Sequence, residues 1–420
     1  MRVLRRYLPT DIAYYFRGGS ILLINQILDL LLGFISLYVF TNSTDKATYG
    51  IYGYLLSVLS VAALATSPGV DTAIQYDAAR GNDGGLAHGT RRRLRTALLG
   101  SIGMVIWAAL LYRRGDTRLA LAVLAGAPIL PFFYGMAGFK AYLMGKGAFG
   151  RFSVSSLLIE VGKLLFILIA CRVFSGVPLV IGFFVTASVL NSLFNWFHIR
   201  RAPNANVGEE FDEIGNRLTL AAVVGSLAGQ ADRLIVGTFF GLETMALYNM
   251  AVSVTRPLRN LGIVAAKLLF PKMINLNVTS TVFRRKLVFS LLFITVPLVA
   301  LVAAYHLIFP ALADALFPKY GAAVPMVRLA IAATAMSMWG MIASQALWSF
   351  GDLRMIYLVQ TISPILRTLV VVLGAVWAGV TGILWAGVAS RLLANALLVT
   401  VLLVLFRRTR RQGERADVGQ

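Results

Sequence analysis

Apolar runs of about 20 residues recur from one end of this chain to the other, and each can cross a hydrocarbon core of roughly 30 Å. A backbone in lipid must satisfy its own polar groups within each segment or close into a barrel. No stretch alternates with period two over strand-length windows, so the expected fold is an all-α integral membrane protein. Twelve spans are predicted: Gly19–Phe40, Ile51–Asp71, Thr96–Tyr112, Leu119–Leu143, Ser153–Phe174, Val177–His198, Leu218–Phe240, Met245–Phe270, Val288–Phe309, Val324–Phe350, Arg354–Trp377 and Gly379–Phe406.

Charge then sets orientation. The 420 residues carry a formal charge of +21 with only 14% charged side chains. In a soluble chain that excess suggests nucleic acid, but here the basic residues flank apolar spans, so the positive-inside bias accounts for them. With the N-terminus inside, the cytoplasmic segments hold about 24 Lys and Arg and the opposite side about 6. The inside set includes Arg91, Arg92, Arg93 and Arg95 after the second span, Arg200 and Arg201 after the sixth, and Arg284, Arg285 and Lys286 after the eighth. Arg113, Arg114 and Arg118 run against the trend. Both termini are therefore expected in the cytoplasm of a multi-pass protein of the inner (plasma) membrane. The first apolar run is too long for a cleaved signal peptide and reads as a retained span.

The longest polar break, Arg200–Arg217, follows the sixth span. It divides the chain into an N-terminal six-helix lobe (1–199), a cytoplasmic linker (200–217), a C-terminal six-helix lobe (218–406) and a basic cytoplasmic tail (407–420). Thr48, Tyr52 and Ser57 recur at the same spacing as Thr244, Tyr248 and Ser253, each set leading into the second helix of its lobe. An even number of spans per lobe makes the two lobes parallel repeats.

Several charges fall where a span crosses mid-membrane. The cations are Lys163, Arg233, Arg256, Arg259, Arg367 and Arg391; the carboxylates are Asp29, Glu160 and Asp232. Facing lipid, these nine groups would cost on the order of 25 kcal/mol. They must line a hydrated chamber or pair with one another. Helical phase favours a chamber: Arg256, Arg259 and Lys267 share one face, Ser226, Gln230 and Arg233 another, and Asn25, Asp29 and Ser36 a third. Asn191, Asn195 and His198 share a face of the sixth span. Glu160 and Lys163, three residues apart, fit an ion pair that only holds the bundle together equally well. Asp232 points away from the Arg233 stripe, toward a neighbouring helix. Six cations against three anions leave a net positive interior, mostly in the second lobe, suited to a phosphate that an arginine fork can grip. Prolines 128, 131, 257, 297 and 364 mark candidate kinks.

The remaining chemistry is sparse. Cys171 is the single cysteine, and His88, His198 and His306 lie on separate segments without metal-ligand spacing. Gly145-Lys146-Gly147 lacks the spacing and the following Ser/Thr of a nucleotide-binding loop. No cofactor is expected, and the chain reads as a transporter rather than an enzyme.

The second lobe opens with Q-A-D-R-L-I-V-G-T-F-F-G-L-E-T-M-A-L-Y-N-M-A (Gln230–Ala251), and Phe270-Pro271 ends its next span. The first lobe carries A-T-Y-G-I-Y-G-Y-L-L-S (Ala47–Ser57) and S-P-G-V-D-T-A-I-Q-Y (Ser67–Tyr76). These stretches resemble the polysaccharide-transporter, O-antigen-flippase type family of the multidrug/oligosaccharidyl-lipid/polysaccharide exporter superfamily. The resemblance implies two six-helix lobes in a V. It implies an undecaprenyl-pyrophosphate-linked oligosaccharide, a repeat unit of O-antigen, lipopolysaccharide or another polysaccharide, moved from the inner to the outer leaflet. It also implies alternating access driven by an ion gradient, membrane lipids as surroundings, and polysaccharide polymerase or assembly proteins as candidate partners. Asp232-Arg233 match the family's aspartate–arginine pair. The lipid II flippases of the superfamily have an extra pair of spans, which places the chain outside that branch. On this expectation Arg233, Arg256, Arg259, Arg367, Arg391 and Lys163 bind substrate, while Asp29, Glu160 and Asp232 couple transport to the ion. A multidrug or cation exporter on the same fold, and a membrane ligase or polymerase of glycan assembly, are the alternatives. A cation exporter calls for an acidic chamber, and an enzyme for larger loops outside the membrane.

Overall fold

A computed structural model gives the structure of the chain. It describes residues 9–418 except 261, 264–280 and 351, without side chains at 9–18, 281–284, 407–418 and scattered helix positions between 221 and 357. Lys267, Phe270-Pro271 and the end of the predicted Met245–Phe270 span lie outside the described residues. So do the side chains of Arg284, Lys286 and the basic tail.

The described residues form helices joined by turns and short loops, with no strand among them. The first ten helices are α1 (Pro9–Ser43), α2 (Lys46–Ala62), α3 (Gly69–Ala79), α4 (Gly84–Arg113), α5 (Thr117–Gly126), α6 (Phe139–Gly145), α7 (Phe149–Ala170), α8 (Gly176–Arg200), α9 (Phe211–Phe239) and α10 (Leu242–Val254). A helical stretch at 256–260 comes next. Three long helices complete the chain: α11 (Thr281–Leu316), α12 (Val324–Phe350) and α13 (Leu353–Val418). Eight helical stretches are long and apolar enough to cross a membrane, or up to ten if each of two bent pairs is one span. Exposed leucine, isoleucine and phenylalanine side chains cover α1, α4, α7 and α8, the surface a bundle presents to hydrocarbon rather than to water.

Two departures from expectation have local causes. Arg91, Arg92, Arg93 and Arg95, read as loop residues, lie inside α4, which begins at Gly84. Arginine is a good helix former, so this helix runs on past its apolar stretch. The predicted Leu119–Leu143 span is bent by 44° between Gly126 and Pro131, where Pro128 and Pro131 interrupt the hydrogen-bond ladder. A π-helical turn over Pro131–Gly135 absorbs the misfit. A second bend, of 45°, breaks α9 between Leu220 and Gly225 without any proline.

The chain forms two compact units, Met1–Ser226 and Leu227–Gln420. In the first, an aromatic group of Phe40, Tyr49, Tyr52, Phe183 and Phe184 packs edge-to-face and stacked among α1, α2 and α8. Trp107 donates to the Tyr54 hydroxyl at 2.9 Å, so both polar tips are satisfied. Residues 202–219 are bound to this unit by a continuous series of polar contacts. Asp77 accepts the Gly208 N–H (2.9 Å), and Asp83 takes Asn204 (3.0 Å), Tyr142 (2.8 Å) and Lys146 (2.6 Å). Arg92 pairs with Asp212 at 2.6 Å, and Thr219 accepts the Gly69 N–H at 3.1 Å. Phe211 is buried against Val70, Ile74, Leu86 and Phe139.

In the second unit, α13 is a hairpin. Ala378 leaves helical geometry and Gly379 has φ +60°, a conformation that glycine adopts without a Cβ penalty. Beyond the turn the arms return antiparallel. Ile356 on one arm packs with Leu398, Val401 and Leu402 on the other and with Ala343 and Leu347 of α12. Close to the turn the backbones nearly touch: a Cβ built on Gly374 would lie 2.5 Å from the Gly382 carbonyl oxygen and 2.8 Å from the Ala386 Cβ.

Glycine is therefore required at this crossing. Gly374→Val should lower stability by about 1–3 kcal/mol, as overpacking does. A fall of several degrees in the detergent melting temperature, against little change for Gly103→Ala, where no atom lies within 4 Å, checks it.

Candidate functional site

The charges predicted at mid-membrane collect in two clusters, one in each unit. In the first, α1 contributes Asn25 and Asp29 and α7 contributes Glu160 and Lys163. One helical turn separates Asn25 from Asp29, so the amide donates directly to the carboxylate at 3.0 Å. Glu160 and Lys163 meet at 2.5 Å, the intrahelical pair their spacing allows. Asp29 lies within electrostatic reach of Glu160, Lys163 and Lys140. Lys140, on α6, joins the group although it is not among the mid-membrane charges the sequence predicts. The amide oxygen of Asn25 and the other carboxylate oxygen of Asp29, Oδ1, are buried and accept no hydrogen bond. Lys163 also faces the Phe183 ring, 5.6 Å from its centroid.

The second cluster is built around Asp232 on α9. Its Oδ2 accepts from the Tyr248 hydroxyl of α10 at 2.7 Å and from Arg367 of α13 at 3.2 Å. Its Oδ1 accepts the backbone N–H of Arg233 at 2.9 Å. The carboxylate is largely buried, with its side chain 15% exposed. Three helices of the unit thus converge on one anion. Asp232 does pair with a neighbouring helix, as its phase predicted. Tyr248 entered the sequence reading only as a repeat position; the missed signal is a buried carboxylate's need for a hydroxyl donor.

The cations around it outnumber it. Arg391 donates to the Ser337 hydroxyl and, at 2.7 Å, to the Gly387 carbonyl. Asn395, one turn on, donates to the Met336 carbonyl at 3.0 Å. Arg256 and Arg259 lie exposed on the 256–260 stretch. Arg259 is within electrostatic reach of Arg367, Arg256 and Asp232, and Arg391 of Arg367, Asp232 and Arg259. Among the described residues, Arg256, Arg259 and Arg391 have no carboxylate partner. Arg367 keeps a buried Nε–H without an acceptor. Like-charged guanidinium groups held together at this depth repel one another, and a multivalent anion is the ligand that relieves this. Ser226 is exposed and Gln230 half-buried on α9, while Asn191, Asn195 and His198 are buried on α8 as part of the first unit's packing.

The fold has relatives among solved structures. The lipid II flippase MurJ in an inward closed conformation covers 94% of this chain and 90% of its own at 10% identity, with a TM-score of 0.65. An inward-facing multidrug resistance MATE family transporter of the MOP superfamily covers 91% and 94% at 16% identity, with a TM-score of 0.63. An outward-facing MATE family transporter of the same superfamily covers 96% of each chain at 16% identity, with a TM-score of 0.56. Such identities establish a shared fold. No curated protein sequence matches the chain. Residues 45–312, well over half of the chain, match the family described as polysaccharide biosynthesis protein, and the chain belongs to that family.

Proposed function

We propose that the chain flips a polyprenyl-pyrophosphate-linked oligosaccharide, an O-antigen or other polysaccharide repeat unit, from the inner to the outer leaflet of the plasma membrane. The observation that carries this reading is the excess of guanidinium groups in the second unit, three of them without a carboxylate partner among the described residues, around the buried Asp232 carboxylate. A pyrophosphate supplies the missing negative charge, and its non-bridging oxygens match the donor fork of arginine. Membership of a polysaccharide biosynthesis family and the flippase and exporter folds among the structural relatives support the same class of cargo.

In this reading Arg259, Arg367 and Arg391 hold the diphosphate, with Arg233 and Arg256 beside them. Asp232 occupies Arg367 while no cargo is bound, so cargo and carboxylate compete for one guanidinium. Lys163, held by Glu160, serves the first unit's charge balance. Asp29 and Glu160, with Asp232, are the carboxylates through which an ion gradient drives alternating access. Both termini lie in the cytoplasm, the lobes divide at the 200–217 linker, and polymerase or assembly proteins receive the product. The cation-exporter alternative is disfavoured by the same surplus of positive charge, since a cationic cargo would be repelled there.

Reconstituted proteoliposomes loaded with a fluorescent polyprenyl-diphosphate oligosaccharide test the assignment. Losing one charge-assisted contact of about 1.5–3 kcal/mol should slow flipping by roughly tenfold or more. Arg259→Ala and Arg391→Ala are each expected to show that loss, and full activity in an Arg256→Ala/Arg259→Ala variant would remove the phosphate clamp. Asp29→Asn is expected to abolish the response of flipping to an imposed proton or sodium gradient while binding persists. In a thermal double-mutant cycle, Arg367→Met and Asp232→Asn should couple by about 1–3 kcal/mol, each single change leaving its partner's charge uncompensated.

A further inference from the structure

At the end of the first unit where the linker docks, most carboxylates already have a cation. Asp71 holds Arg93, Asp83 holds Lys146 at 2.6 Å, Asp212 holds Arg92 at 2.6 Å, and Glu213 holds Arg217 at 2.5 Å. Among the arginines left over at the same end, three lie at the ends of α7 and α8. Arg151 is exposed in the first turn of α7, and Arg200 and Arg201 are exposed at the end of α8. None has a carboxylate partner among the described residues. Arg151 and Arg201 both lie within electrostatic reach of His198, whose ring is stacked on Phe139.

These arginines are arranged, not merely present. Arg200 folds back so that its guanidinium carbon lies 4.0 Å from the centre of the Trp196 ring, and Arg201 covers Phe197 at the same distance. Stacking fixes each guanidinium plane and leaves its N–H donors pointing outward along the edge. Below the two stacks, Val185, Val189, Leu193 and Trp196 form one exposed stripe on α8, at the spacing of a single helix face. From Val185 to Trp196 the stripe rises about 16 Å, close to the depth of one leaflet's hydrocarbon. Arg200 continues the same face.

An apolar track of one leaflet's depth, topped by an amphipathic ring and unpaired guanidinium groups, has the form of an acyl chain with a phosphate above it. We propose that the α7–α8 end, with Arg151, Arg200 and Arg201 at the headgroup and the Val185–Val189–Leu193–Trp196 stripe beneath, is a binding site for an anionic phospholipid. The selectivity follows from charge: a zwitterionic headgroup brings its own cation toward three unpaired arginines, whereas a headgroup with net negative charge does not. The site is separate from the second unit's cluster and does not depend on what that cluster carries.

Native mass spectrometry of the full chain in detergent, titrated with phosphatidylglycerol and with phosphatidylcholine, tests it. The wild type should retain phosphatidylglycerol preferentially, and Arg151→Gln/Arg200→Gln/Arg201→Gln should lose about fivefold in retention per arginine removed, down to the phosphatidylcholine level. Removing the same number of charges elsewhere, as Arg113→Gln/Arg114→Gln/Arg118→Gln, should leave retention unchanged. Equal retention by wild type and the first variant, or equal loss in both variants, overturns the site. Displacement of the lipid by an equal concentration of inorganic phosphate overturns it in favour of a soluble anion. Independently of the charge variants, phosphatidylglycerol with brominated acyl chains should quench wild-type tryptophan fluorescence more than brominated phosphatidylcholine does, and Trp196→Phe should abolish that difference, since Trp377 and Trp385 are exposed to either lipid; an undiminished difference in Trp196→Phe would count against the stripe.

Discussion

The Asp232 carboxylate ties the second unit together. It sits on α9, and its oxygens take a hydroxyl from α10 and a guanidinium from α13, so two consecutive helices and a third distant in sequence share one buried anion. A carboxylate at this depth is tolerable only when paired and hydrogen-bonded, and here both conditions hold. Removing any one donor leaves charge uncompensated and disturbs the other two helices. Arg367 is turned toward Asp232 for the same reason, and the neighbouring Arg259 and Arg391 are left short of negative charge. The stability of the unit and the anion binding proposed for it thus draw on one network.

The first unit is held differently. Its predicted mid-membrane carboxylates have local partners, Asp29 a hydrogen bond from the neutral amide of Asn25 and Glu160 an ion pair with Lys163, each within one turn of a single helix. A dense set of longer-range polar bonds lies at one end, where Asp77, Asp83 and Arg92 fasten residues 204–216 to α3 and α4. The beginning of α9 therefore belongs mechanically to the first unit, and the 45° bend after Leu220 comes just before the division between units at Ser226.

Much of this was legible in the sequence, and the reasons differ by feature. Apolar run length gave the helical membrane class, because lipid offers the backbone no partners. Spacing allowed the Glu160–Lys163 pair as one of two equal readings, and the structure shows it; the outward phase of Asp232 from Arg233 implied a partner on another helix, which Arg367 supplies. What spacing cannot convey is which helix comes alongside. Arg367 and Tyr248 are 135 and 16 positions from Asp232, and only packing brings them to it. Arg93 is the clearest miss. Read as one of four loop arginines, it is a buried residue of α4 paired with Asp71, the last residue of the predicted second span. The positive-inside count treats all basic residues alike, whereas burial separates those that orient the chain from those that hold it.

The hairpin at Ala378–Gly379 has a consequence for topology. An uninterrupted helix of the 66 residues in α13 would be about 100 Å long, some three times the hydrocarbon thickness. Folding it back makes two traverses of one, so the chain leaves on the face by which Leu353 entered. The parity of crossings, and with it the compartment reached by the last dozen residues, is decided by a single position that no side chain occupies.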